Sequence, residues 1–253
     1  AQAQQRKPET VTVLRCPLGC GIVEGDTILG SFVAKEHPWL VYQTQETPGY
    51  IYNVREMAQN KTRWKTTLFG TEDTIIQLGI HGGSPELQEF LPEQIKIKWK
   101  LLFGEAWWTQ GMWYVTLDPN LKKISDLKGK TVVWGAGSSG FVVLARYVMD
   151  GLGLDLERDF TAVFLDKAGD GPPMVLDGRA AAMWGGGVGW PPFVAIAKNP
   201  AGARFVAPDA DEIKRIMAKH SFLKATALPV GSYPGQDAPI ASVGSWPFVL
   251  ARA

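Results

Sequence analysis

Short apolar runs recur along the chain, each followed by a loop of Gly, Ser, Thr or acidic residues and then by a stretch with helical spacing. Val11 to Leu14 leads through Cys16-Pro17-Leu18-Gly19-Cys20-Gly21 to Ile28, Leu29, Phe32 and Val33, which share one helical face. Leu40-Val41-Tyr42 runs into Thr44-Gln45-Glu46-Thr47-Pro48-Gly49, after which Ile51, Val54, Met57 and Ala58 form a second amphipathic face. Thr67-Leu68-Phe69 precedes Gly70-Thr71-Glu72-Asp73 and then Ile75, Ile76 and Leu78, a third and shorter unit. Strands alternating with helices predict a mainly parallel sheet covered on both faces.

The second half repeats the pattern. Trp113 to Leu117 is a β-prone run, and Ile124 to Lys130 reads as a capped turn before the clearest strand, Thr131 to Trp134. Gly135-Ala136-Gly137-Ser138-Ser139-Gly140 then opens an apolar helix from Phe141 to Met149, stopped by Gly151 and Gly153. Strands are expected over Phe160 to Leu165 and Ala180 to Trp184. Helices are expected after Pro172, where Pro suits the first turn, after Pro191 and around Ile213, Ile216 and Met217. Two α/β lobes fit this series better than one, with a chain crossing near residues 110 to 118.

Composition narrows the function. Among 253 residues, 26 Lys+Arg balance 25 Asp+Glu, so no general field draws a phosphate backbone or an anionic membrane. Lys96, Lys98 and Lys100 alternate with Ile97, Trp99 and Leu101, as in a strand with one solvated face. No apolar run is long enough to span a bilayer, so neither nucleic acid nor membrane insertion is expected. The polar start, Ala1 to Pro8, suits a mature chain left by signal-peptide cleavage, or an ordinary frayed terminus. Cys16 and Cys20 suit a short local disulfide or two free thiols in a turn, and make a poor zinc site.

Gly135-x-Gly137-x-x-Gly140 matches the dinucleotide-binding fingerprint, which raises an NAD(P)-dependent oxidoreductase as one reading. Asp166, however, lies too far downstream for the ribose-binding acid, which follows the fingerprint by about 20 residues. His37, His81 and His220 are isolated, with no orienting partner in sequence. The loop's physics is more general: amides at a helix N-terminus favour any anion, a carboxylate included.

Near the C-terminus the sequence becomes specific. Phe222-Leu223-Lys224-Ala225-Thr226-Ala227-Leu228-Pro229-Val230-Gly231-Ser232-Tyr233-Pro234-Gly235-Gln236-Asp237 resembles the pattern that closes the second lobe of the TAXI family of TRAP transporter solute receptors. Ile124 to Val132, the loop Gly135 to Gly140, Gly151-Leu152-Gly153-Leu154 and Asp177-Gly178-Arg179 match that family in order and spacing. The resemblance implies the two-lobed α/β fold of type II periplasmic binding proteins, with a ligand cleft between lobes. A disordered mature N-terminus over 1–10, a first lobe over 11–112 and a second over 113–228 are expected, followed by a return or hinge segment over 229–253, short relative to the family.

The function implied is that of a periplasmic, signal-peptide-cleaved solute receptor, not an enzyme and without a cofactor or bound metal, that captures a small organic acid or amino acid for a TRAP membrane permease. Because ligands in open α/β sheets lie beyond the carboxyl ends of strands, the loops place Thr44, Gln45, Glu46, Thr71, Glu72, Trp108, Ser138, Ser139, Gly140, Phe141, Trp184 and Gly185 at the cleft. Trp108 and Trp184 are the rings expected to form aromatic walls. The first loop keeps Pro17-Leu18-Gly19 of the family pattern but carries cysteines around it, and the second and third loops depart from it, although Asn53 remains. If Glu46 and Glu72 face inward they favour an amine-bearing ligand or a cation; if outward, they are solvated. Besides the oxidoreductase, a ligand-free scaffold derived from a binding protein is the other alternative.

Overall fold

The computed structural model describes residues 6–17, 21–72, 74–76, 98–104, 110–111, 113–137 and 139–253. Lobe 1 is built on a five-stranded sheet in the order β2-β1-β3-β13-β4. Its strands are β1 (Glu9–Leu14), β2 (Leu40–Gln45), β3 (Thr67–Glu72), β4 (Trp99–Gly104) and β13 (Pro247–Arg252). The first three pair in parallel, so their carboxyl ends point the same way, while β13 returns from the end of the chain and pairs antiparallel with β3 and β4. Helices α1 (Gly21–Glu36) and α2 (Tyr50–Gln59) follow β1 and β2.

Lobe 2 holds β6 (Trp113–Thr116), β7 (Thr131–Ala136), β8 (Thr161–Leu165), β9 (Ala182–Gly185) and β10 (Arg204–Val206), in the order β10-β6-β9-β7-β8. Strand β7 pairs in parallel with both β8 and β9. Alternate residues of β7 enter different clusters, Val132 and Trp134 one and Val133 the other, so this strand is buried on both faces. Helix α3 (Gly140–Gly151) leaves the end of β7 with Ser139 as its N-cap, the hydroxyl accepting from Val142 N at 3.4 Å. Helices α4 (Gly171–Leu176) and α5 (Pro191–Ala197) each begin with proline in the first turn. Asp209 and Glu212 form a capping box on α6 (Ala210–Lys219).

The lobes are joined by a three-stranded sheet of β11 (Lys224–Leu228), β12 (Ile240–Ser245) and β5 (Gln110–Gly111), in the order β11-β12-β5. Strand β5 leads towards lobe 2, β12 continues through Trp246 into lobe 1, and the two pair antiparallel through Gly244↔Gly111 and Ser245↔Gln110. Two adjacent chain crossings, here called the hinge, therefore link the lobes, and the one at β5 opens the stretch from 110 to 118 where a crossing is expected. Leu14, Phe69 and Ile75 of lobe 1 lie in the same apolar cluster as Trp134, Val142 and Trp184 of lobe 2, which means that the lobes are closed on one another.

Two expectations drawn from hydrophobic pattern are corrected. Ile28 and Phe32 of α1 are 60% and 59% exposed, because this helix turns Ile22 and Asp26 inward instead. On the edge strand β4 the lysines Lys98 and Lys100 are exposed and Trp99 packs against Phe69, as the alternation predicts, but Leu101 departs from it at 60% exposure. Ile97, Lys96, Leu78 and His81 lie outside the described residues.

Candidate functional site

Loops from both lobes meet at the carboxyl ends of their strands and enclose a cleft. Lobe 1 contributes Cys16 and Pro17 after β1, and Gly49 and Tyr50 at the start of α2. Lobe 2 contributes Trp134 to Ala136 from β7, Ser139 to Phe141 from the start of α3, Trp184 from β9 and Trp190 at the start of α5. Five of the described lining residues are aromatic, and among the described residues no Asp, Glu, Lys, Arg or His lines the cleft. The cavity is about 50 Å³, room for a few water-sized groups in this closed arrangement.

A buried polar network shapes the lobe 1 side. Asn53, fully buried on α2, donates through Nδ2 to Leu14 O (3.2 Å), Arg15 O (2.8 Å) and Gly70 O (2.9 Å). Its Oδ1 accepts from Thr47 Oγ1 at 2.7 Å. One amide thereby fastens the loops after three parallel strands, and an amide offers both the donors and the acceptor this needs. Beneath it the Arg15 guanidinium is ion-paired with Asp26, both buried, and the Tyr42 hydroxyl donates to Asp26 Oδ1 at 3.2 Å. Burial, first, and the Asp26 charge push the Tyr42 hydroxyl pKa well above its ordinary value, against the lowering effect of Arg15. Gly49, with φ 138°, holds a conformation that favours glycine where the chain enters α2.

The lobe 2 wall is positioned by its own network. The Trp184 indole N–H donates to Phe141 O at 2.9 Å, tying β9 to the first turn of α3. The Tyr233 hydroxyl accepts from Trp190 N (2.9 Å) and donates to Gly187 O (2.5 Å), so it clamps the loop that presents Trp190. Burial raises the Tyr233 pKa, partly offset by the Trp190 N–H bond, which stabilises the ionised form. Gln236 organises the segment behind it: its Oε1 accepts from Ser232 N (3.0 Å), and its Nε2 donates to Pro229 O (2.9 Å) and Ala238 O (2.7 Å). In this structure the Tyr-Pro-Gly-Gln segment thus supports the cleft wall from outside it.

Glu72 connects the lobes. It ends β3, is fully buried, and its Oε2 accepts from Ser245 Oγ (3.2 Å) in the hinge. Its Oε1 packs against Gly140 so closely that a methyl on that residue would lie 2.1 Å away. A lobe 1 carboxylate therefore sits at the N-terminus of a lobe 2 helix, where the helix dipole favours it. A pyrophosphate at this glycine turn would face that carboxylate, which argues against the dinucleotide reading.

The sequence-predicted site residues divide. Ser139, Gly140, Phe141, Trp184 and Cys16 line the cleft, although the Trp184 side chain is only 1% exposed. Thr44 and Gln45 do not line it: they remain in β2, opposite Val13 and Leu14 of β1, and Gln45 Oε1 accepts from Arg63 at 3.1 Å. Glu46 is exposed and Glu72 buried, so the two acids expected to share one fate take opposite ones. Thr71 is buried within β3 opposite Phe248. Gly185 lies behind the wall, where a methyl would come within 2.0 Å of the Trp190 ring. Trp108, Ser138 and Cys20 lie outside the described residues; Cys16 is disulfide-bonded. Sequence reasoning missed Tyr50 and Trp134 as lining residues, and placed Trp190 in a strand-end loop of the cleft without choosing it as a wall. The legible signal was their place at strand or helix ends, beside Gly49, Gly135 and the Pro191-Pro192 pair.

The fold is shared with solved structures that include two periplasmic proteins and a regulatory domain. The periplasmic aliphatic sulphonate binding protein of Escherichia coli is 16% identical, with a TM-score of 0.50 over 97% of this chain and 66% of that one. A periplasmic transporter structure is 13% identical, with a TM-score of 0.56 over 96% of this chain and 77% of that one. The CcmR regulatory domain of Synechocystis, solved with 2-PG, is 9% identical, with a TM-score of 0.52 over 97% and 88%. At these identities the likeness is one of fold, the two-lobed α/β architecture of periplasmic binding proteins. The chain spans about two thirds of the E. coli protein's length. Residues 104–253 match the profile of the NMT1-like family, and the chain belongs to that family.

Proposed function

We propose that this member of the NMT1-like family is the periplasmic solute receptor of an uptake system, of the TAXI type, that captures a small organic acid or amino-acid-like solute and passes it to a TRAP membrane permease. The observation that carries this reading is the cleft itself. Loops from two lobes meet at their strand ends around a cavity, and two chain crossings make a hinge about which it can open. A solute touching Ser139, Gly140 and Phe141 on one side and Cys16, Pro17 and Tyr50 on the other gains contacts made only in the closed state. Binding then shifts the population towards closure, the form a permease would read.

The test is native mass spectrometry of freshly purified protein, followed by a thermal-shift screen of organic and amino acids. A retained small molecule, or a stabilising compound whose effect disappears in Ser139→Trp, is the expected result. A protein that carries no solute and that no compound stabilises refutes the receptor reading and favours a ligand-free scaffold.

A further inference from the structure

The edge of the lobe 1 sheet opposite the cleft gathers positive charge that the composition conceals. Because β1, β2 and β3 run parallel while β13 opposes both β3 and β4, the amino ends of β1 to β4 and the carboxyl end of β13 share that edge. Arg6 and Lys7 lead into β1, and Lys61, Arg63 and Lys65 lie in the turn between α2 and β3. Lys98 precedes β4, and its carbonyl accepts from Arg252, the last residue of β13, at 3.0 Å. All of these cations except Arg63 and Arg252 are exposed.

Among the described residues, the seven cations stand against two carboxylates on this edge, Glu9 and Glu56, and the second is paired with Arg63 at 2.8 Å. Lys35 and Glu36, which end α1 beside it, cancel. The whole chain carries only +1, so an excess of five is a local concentration balanced by acids elsewhere. Residues 77–97 hold three Glu and one Lys, and adding all four to the edge would still leave an excess of three. Two half-buried tryptophans lie among the cations. Arg6 sits 4.7 Å from the Trp39 ring, and Arg252 and Lys61 sit 4.8 and 5.9 Å from that of Trp64. With neighbouring strands 4.7–4.9 Å apart, five of them make an edge about 20 Å wide.

The charges are spread along this edge and do not converge on a pocket, so they read charge density more than shape. A bilayer with anionic headgroups offers that density over a plane wider than the edge, and indoles beside cations suit the headgroup layer. We propose that this edge of lobe 1 docks on an anionic phospholipid surface, held by electrostatic attraction without insertion. The cleft, at the opposite ends of the same strands, is left clear. This goes beyond the receptor reading and does not depend on it.

The experiment co-sediments the full chain with vesicles of phosphatidylcholine alone and of equal parts phosphatidylcholine and phosphatidylglycerol. Binding is expected to the mixed vesicles only. It should be lost at about 0.5 M salt, where the screening length falls well below the roughly 10 Å of 0.1 M. The double variant Lys61→Glu/Lys65→Glu should weaken vesicle binding at least about tenfold. Lys198→Glu/Lys224→Glu makes the same change in net charge at exposed sites of lobe 2 and should leave binding unchanged. Thermal melts like the parent's show that both variants fold. No binding to the mixed vesicles, equal binding to both kinds, or an equal loss in the two double variants overturns the proposal. Binding to polyglutamate without binding to vesicles also overturns it, and points to an acidic protein instead. Each of these outcomes leaves the solute-receptor reading standing, and a protein that binds no solute leaves this proposal standing.

Discussion

Replacing Tyr233 by Phe removes one oxygen from a fully assembled support and leaves its packing in place. The ring stacks on Phe205 with centroids 5.0 Å apart and lies 5.9 Å from Phe193, contacts that phenylalanine keeps. What disappears is the acceptor for Trp190 N and the donor for Gly187 O. Both backbone groups lie in the buried region around Trp190, and each group left unpaired costs about 1–3 kcal/mol. The pair together predicts a loss of about 2–6 kcal/mol. For a chain of this size about 1 kcal/mol corresponds to about 2–4 °C, so a thermal melt should show a fall in Tm of at least about 4 °C. Because the clamp holds the loop that presents Trp190, solute affinity should fall as well, while far-ultraviolet circular dichroism stays unchanged. A variant that melts within about 2 °C of the parent would show that the hydroxyl does not clamp this loop, and the account of the Tyr-Pro-Gly-Gln segment as the cleft's outer support would be refuted.

Asn53→Ala deletes three donated bonds and one accepted bond beneath the cleft; a loss of about 3 kcal/mol or more in urea denaturation is expected, and a neutral result would contradict the network described. Gly140→Ala places a methyl 2.1 Å from Glu72 Oε1, so it should push the lobes apart, raising the radius of gyration in solution scattering and abolishing solute-induced stabilisation. Alkaline pH should destabilise the protein, because burial raises the pKa values of Tyr42, Tyr114 and Tyr233 above the ordinary 10.0. The native state then holds protons that the unfolded chain releases, so the stabilisation is complete below pH 10 and declines above it, by up to about 1.4 kcal/mol per pH unit for each such group. Tyr233→Phe should make that decline shallower in melts between pH 9 and 11, and an unchanged slope would show that Tyr233 does not contribute to it.

The order of strand, loop and helix was legible in the residues because local chemistry decides it. Apolar runs set β7 and β9, Ser139 caps α3 through its own hydroxyl, and prolines start α4 and α5. Ser139, Gly140, Phe141 and Trp184 could be assigned to the cleft for the same reason: they stand at the carboxyl ends of strands, where a sheet of parallel strands leaves its ligand site. The shift of α1, which turns Asp26 inward and Ile28 outward, was not legible. Its cause is the buried Arg15 on the neighbouring strand end, which demands a carboxylate more strongly than the core demands another isoleucine.

Glu46 and Glu72 look alike in sequence, each an acid in a loop after a lobe 1 strand. One is solvated and the other is sealed against Gly140 because the hinge delivers Ser245 and the second lobe delivers a helix N-terminus to the end of β3 only. Trp134 and Trp190 read as core rings from sequence, and by burial they are core. The sequence by itself determined which segments become strands, where each loop opens and that two lobes form, since these depend on period, capping and neighbours along the chain. Only the tertiary structure decided which loops face one another, which carboxylate is buried and which rings close the cleft, because those depend on groups that meet across two lobes and are far apart in the chain.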